Sequence, residues 1–150
     1  NKWQFLKVQL KENRRFMGYL LDTNIVSLAV RRNLQIRRKI QDINLQKKNI
    51  FISCITYFEI RRGFLAVDAP TQRREFEEFC QSYQIIFLDD LAILEKAAQI
   101  HANLRLRGVP IQTEDVLIAA TAILKDLIVV SNDSDLARVE GLKLENWVEL

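Results

Sequence analysis

The sequence predicts an α/β protein with three layers: a mostly parallel central sheet with helices on both faces. Three observations lead there. Short apolar, β-branched runs recur between longer amphipathic segments, which is the pattern of strands joined by crossover helices. The runs are apolar at successive positions rather than alternating, as expected of strands covered on both sides. Several of these elements begin or end abruptly in a carboxylate, at the place where open α/β sheets put their ligands.

The first strand is expected at Gly18–Leu21, delivering Asp22, Thr23 and Asn24 to its carboxyl end, where Asp22 or Asn24 would also suit a helix N-cap. A short helix follows over Asn24–Val30, then an amphipathic one over Asn33–Lys48 with Ile36, Ile40 and Ile43 at helical spacing. Its other face is basic, with Arg31, Arg32, Arg37, Arg38, Lys39, Lys47 and Lys48 in or beside it. That is a solvated helix face or a surface for phosphate. Ile50–Ser53 reads as the second strand and Tyr57–Phe64 as a helix with Glu59 in its first turn, where the macrodipole favours an acid.

Pro70 opens the next helix, with Phe76, Phe79, Cys80 and Tyr83 on one face, and Gln84–Leu88 forms the third strand. Asp90 caps a helix over Leu91–Arg107, whose buried stripe is Ile93, Ala97, Ile100 and Leu104. Thr113–Leu124 is apolar on nearly every side after its first turn, so it is a buried helix, with Thr113 as its cap and Glu114 and Asp115 at its start. Leu127–Val130 is the central strand, running into Ser131, Asp133 and Asp135, and Gly141–Val148 supplies a last strand that packs Trp147 at an edge.

With 150 residues, 49% of them hydrophobic and 27% charged, the chain fits one ordinary globular domain. The net charge of +3 is concentrated upstream. Residues 1–16 carry five cations and one anion, so the remainder is close to neutral. The single Met, Met17, stands just before the first strand. It marks residues 17–150 as the folded domain and residues 1–16 as a basic N-terminal extension, either upstream of the natural start or a genuine arm.

Cys54 and Cys80 sit in apolar patterns without C-x-x-C or Cys/His spacing and are expected as reduced thiols. The absence of a bilayer-length apolar run and of a secretory signal pattern leads to the expectation of a cytoplasmic protein without membrane contact. The lone His101 has no second His or Cys near it in sequence, which disfavours Ser-His-Asp and Cys-His chemistry.

Asp22, Glu59, Asp115 and Asp133 with Asp135 are expected at one rim of a parallel sheet. Converging carboxylates need compensating charge, and oxygen ligands without thiolate or imidazole select Mg²⁺ or Mn²⁺. Such a site suits hydrolysis of phosphodiesters.

Leu20-Leu21-Asp22-Thr23-Asn24-Ile25, Ile55-Thr56-Tyr57-Phe58-Glu59-Ile60-Arg61-Arg62-Gly63, Asp115-Val116-Leu117-Ile118-Ala119-Ala120-Thr121-Ala122 and Val130-Ser131-Asn132-Asp133-Ser134-Asp135-Leu136, then Gly141–Trp147, resemble the successive motifs of PIN-domain ribonucleases, specifically VapC-like toxins of type II toxin–antitoxin pairs. The resemblance runs from Met17 to the C-terminus. It implies a PIN-like α/β/α sandwich in which Asp22, Glu59, Asp115 and Asp133 are catalytic and hold Mg²⁺ or Mn²⁺. Asp135 is a further candidate ligand and an alternative fourth acid; Thr23, Asn24 and Ser131 give polar support. It also implies a cytoplasmic endoribonuclease acting on RNA, a VapB-like antitoxin as inhibitor, and a homodimer. Arg61 and Arg62 would meet RNA or antitoxin. Leu136 stands where the family often has Phe.

Two other readings compete. A haloacid-dehalogenase-like phosphatase also begins with an acid after its first strand, but it needs a carboxylate where this chain has Asn24. A binding module of the same fold without turnover would need no metal.

Overall fold

The computed structural model describes residues 1–4 and 18–148. The expected start at Met17, and nearly all of the basic extension, lie outside the described residues. Five parallel strands form one sheet in the order β3-β2-β1-β4-β5, with β1 at Gly18–Leu21, β2 at Asn49–Ser53, β3 at Gln84–Ile86, β4 at Ile128–Val130 and β5 at Leu144–Glu145. Between them run α1 (Thr23–Val30), α2 (Leu34–Leu45), α3 (Cys54–Ala66), α4 (Pro70–Ser82), α5 (Leu91–Leu106) and α6 (Thr113–Lys125), with a 3₁₀ turn at Ser134–Arg138.

The strand residues alternate between two cores, as the two-residue period of a strand requires. Tyr19, Leu21, Ile50 and Val130 pack with α1 and α2 and with Ile60 and Phe76 from α3 and α4. Leu20 and Val129 pack on the opposite face with α5 and α6, through Ile93, Leu104, Val116 and Ile118. Each such side chain, fully buried, contributes roughly 1.5–3 kcal/mol. Gly18 sits at a close approach: a Cβ there would lie 2.5 Å from Leu127 Cδ2, so that side chain would have to shift. Gly108, at φ +73°, ends α5, where Val109 N donates to Leu104 O at 2.9 Å.

Several boundaries differ from expectation. β3 stops at Ile86 because its partner strand ends at Ser53, its register mate. The last strand shrinks to Leu144–Glu145, its last residue opposite Val130 where β4 ends, and Trp147 turns inward onto Tyr19 with ring centroids 5.3 Å apart. α2 ends at Leu45 rather than Lys48, and α1 begins one residue early, at Thr23.

α3 starts at Cys54, capped by Ser53, whose hydroxyl accepts from Ile55 N at 3.1 Å. Glu59 therefore lies in its second turn, outside the reach of the helix terminus, and the macrodipole argument for it fails. Thr113 is inside α6 and does not cap it; Gln112 holds that position without a side-chain bond. Asp90 caps α5 as expected, accepting from Ala92 N at 2.8 Å.

The basic face of α2 is partly neutralised, with Arg32 and Arg37 both paired to Glu75 of α4. Cys54 and Cys80 are free and half-buried. Among the described residues no helix is long and apolar enough to cross a membrane.

Candidate active site

β1 is where the strand order reverses: the chain builds outward from it to β2 and β3, then returns to add β4 and β5 on its other side. A crevice beyond the carboxyl ends of the strands is expected at such a reversal. The sequence places Asp22 one residue after β1 and Ser131 one residue after β4, and the two ends are joined by Asp22 N donating to Val130 O at 3.0 Å.

Asp22 is both cap and site residue. Its Oδ1 accepts from Ile25 N at 2.9 Å, yet its side chain is 95% buried, far more than a simple cap needs. Burial pushes its carboxyl up to about 6; hydrogen bonds from Ser131 and Ile25 N pull it down, and the charges of Asp133 and Glu59 add to the rise. The Ser131 hydroxyl also accepts from Asp133 N at 2.9 Å, tying the turn after β4 to Asp22.

Asp115, third residue of α6 and half-buried, is likewise pushed up to about 6. Desolvation is the main cause, followed by the charges of Asp133, Glu59, Asp22 and Asp135. The charges of Glu59 from α3 and Asp133 from the turn after β4 thus reach both Asp22 and Asp115.

Glu59 is aimed by hydroxyls. Thr23 Oγ1 donates to Glu59 Oε1 at 2.8 Å and lies 3.1 Å from Thr56 Oγ1. Arg62 NH2 stands 4.0 Å from Glu59 Oε2, with its guanidinium over Phe58. Arg61 turns away to Glu77 on α4, at 3.7 Å. Of the two arginines, the structure therefore brings only Arg62 to the acids.

Asp133 caps the 3₁₀ turn, accepting from Asp135 N at 2.9 Å. Asp135 points into an ion pair with Arg138 at 3.0 Å and acts on Asp115 more weakly than Asp133 does. Asn24 is exposed on the first turn of α1, and His101 is exposed on α5.

Sequence reasoning missed Thr56 and Arg138. Thr56 lies one helical turn before Glu59, a signal that becomes visible once α3 is known to start at Cys54.

Carboxylate oxygens without sulfur or imidazole fit a hard divalent ion, and buried acids with raised pKa values are the groups a cation would relieve. Among the described residues no group of three or more His, Cys, Asp or Glu side chains is close enough to hold a metal ion. A groove of about 320 Å³ lies against the site, walled by Thr23, Glu59, Arg62, Arg31 and Phe64.

A family model described as PIN domain matches residues 19–142. Ribonuclease VapC2 of Haemophilus influenzae is 33% identical over 141 residues, covering 88% of this chain and 99% of that protein. The tRNA(fMet)-specific endonuclease VapC of Salmonella typhimurium is 28% identical over 133 residues, covering 87% of this chain and 98% of that one. The crystal structure of DNA-bound VapBC from Salmonella typhimurium matches with a TM-score of 0.75 at 27% identity, over 87% of this chain and 98% of that chain.

Proposed function

We propose that this chain, which belongs to the PIN-domain family and within it to the VapC ribonucleases, is a Mg²⁺- or Mn²⁺-dependent endoribonuclease and the toxin of a toxin–antitoxin pair. What supports the metal-dependent reading is the gathering of acids at the switch point of the sheet, where burial first, and then the charges of Asp133 and Glu59, push the Asp22 and Asp115 carboxyls up to about 6.

Asp22, Glu59, Asp115 and Asp133 would hold the cation, which supplies Lewis acidity toward water and the scissile phosphate. The chain's own groups do the rest. Ser131 and Ile25 N fix Asp22 in one rotamer. Thr23 holds one oxygen of Glu59 and leaves the other facing Arg62. Arg62, half exposed, is placed to meet a phosphate of the RNA strand beside the acids. Without a cation, Asp22 and Asp115 retain protons up to about pH 6, so a cation bound below that range would have to displace those protons.

The named relatives support tRNA(fMet) as the first substrate to try and a VapB-like protein as inhibitor. The groove beside Glu59 is the surface that the inhibitor would cover, and a homodimer in the cytoplasm is the expected form of the toxin.

The test is cleavage of RNA by the purified chain, free of antitoxin. Cleavage that needs Mg²⁺ or Mn²⁺, stops with EDTA and is lost in Asp22→Asn is the expected result. Cleavage indifferent to EDTA, or full activity in Asp22→Asn, would refute it. Manganese binding without cleavage of any RNA would favour the binding-module reading.

A further inference from the structure

Arg138 joins two segments that each carry one of the site's acids. Its NH2 lies 3.0 Å from Asp135 Oδ1, and its NH1 donates to the carbonyl oxygen of Pro110 at 3.3 Å. Asp135 is two residues beyond Asp133 and donates its own N–H to the Asp133 carboxylate. Pro110 begins the short connection into α6, five residues before Asp115.

The same turn is fixed from below by Leu136 and Val139, both buried in the core formed with α5 and α6. From the side, Arg107 NH1 donates to Arg138 O at 3.0 Å and stands 3.9 Å from Glu140. The apolar anchors fix how deep the turn sits. Arg138 is the link from the turn to the connection ahead of Asp115.

We propose that Arg138 is a positioning residue that sets the spacing between Asp133 and Asp115, with Asp135 serving as its partner rather than as a holder of the cation. The inference rests on the metal-dependent reading above. Arginine meets Asp135 and the Pro110 carbonyl with two separate nitrogens of one planar fork, a geometry that a lysine's single ammonium does not reproduce. Arg138 touches neither Asp133 nor Asp115 itself; it acts through Asp135, whose N–H donates to the Asp133 carboxylate, and through the Pro110 carbonyl ahead of Asp115.

The experiment measures Mn²⁺ affinity by calorimetry, and separately kcat and KM for RNA, in wild type, Arg138→Ala, Arg138→Lys, Asp135→Asn and Asp133→Asn. All are compared well below their unfolding temperatures. Arg138→Ala should weaken Mn²⁺ binding about tenfold, the lower end of the loss for a group bonded directly to a metal ligand, because Arg138 acts one contact further out. It should lower kcat with little change in KM, and Arg138→Lys should recover part of the loss. Asp135→Asn, which can still accept from Arg138, should stay within a few-fold of wild type, while Asp133→Asn should not.

Unchanged Mn²⁺ affinity in Arg138→Ala would overturn the proposal, as would Asp135→Asn being as damaging as Asp133→Asn. A wild-type protein that binds no Mn²⁺ would remove the metal-dependent reading itself, and this inference with it.

Discussion

Replacing Asp22 by Asn removes a charge that the fold holds at a cost. The folded carboxyl titrates near 6 against an ordinary 3.8, so the native state binds its proton more tightly than the unfolded chain does. An acid with a raised folded pKa leaves stability highest below about pH 4. Stability then falls as pH rises through 6 and is flat beyond.

A difference of about two units at 1.36 kcal/mol each gives a ceiling of about 3 kcal/mol above pH 6. Asparagine keeps the cap, since its Oδ1 can still accept from Ile25 N. The metal-free variant should therefore be more stable than wild type at pH 7.5, by up to about 3 kcal/mol, or roughly 6–12 °C in Tm. The gap should close at pH 4, where the wild-type carboxyl is already neutral. Added Mn²⁺ should raise the Tm of wild type and not that of the variant. Thermal unfolding at both pH values, with EDTA and with Mn²⁺, reads all of this. An Asp22→Asn protein less stable than wild type at pH 7.5 would refute the reasoning, because Asp22 would then be a stabilising cap and not a strained member of a charged cluster.

Two further outcomes follow from the same contacts. Thr23→Val removes the donor that fixes Glu59 and should slow RNA cleavage at least tenfold. It should cost about 1.5–3 kcal/mol in a denaturant titration, the net worth of a hydrogen bond to a charged group. Leu136→Ala opens a cavity beneath the turn that carries Asp133 and should cost about 2–5 kcal/mol, read as a lower urea midpoint with an unchanged slope.

The sheet was legible because its strands are continuous apolar runs, such as Leu127–Val130, that only a doubly covered strand can use. Asp22 stands directly after an apolar run and Asp115 directly before one, which is what marks both in the sequence as candidates for the rim. Boundaries set by a neighbour were not legible. β3 ends at Ile86 because β2 ends at Ser53, a fact of pairing that the apolar residues Phe87 and Leu88 conceal.

The helix-terminus argument for Glu59 does not hold, since what holds its carboxylate is Thr23 from another helix; the motif around it is what pointed to it. Asp133 and Asp135 could not be told apart by spacing. It is Arg138, on the same turn and facing Pro110 across the fold, that draws Asp135 aside.

The central claim is that acids from four separate elements act as one cation site. Calorimetric titration of the antitoxin-free protein with Mn²⁺ at pH 7.5 tests it most directly, comparing wild type with Asp22→Asn and Asp115→Asn. The account predicts saturable binding to wild type, accompanied by proton release that grows as the pH is lowered toward 6, and a loss of at least tenfold in affinity in each variant. Binding that is unchanged in either variant would contradict it.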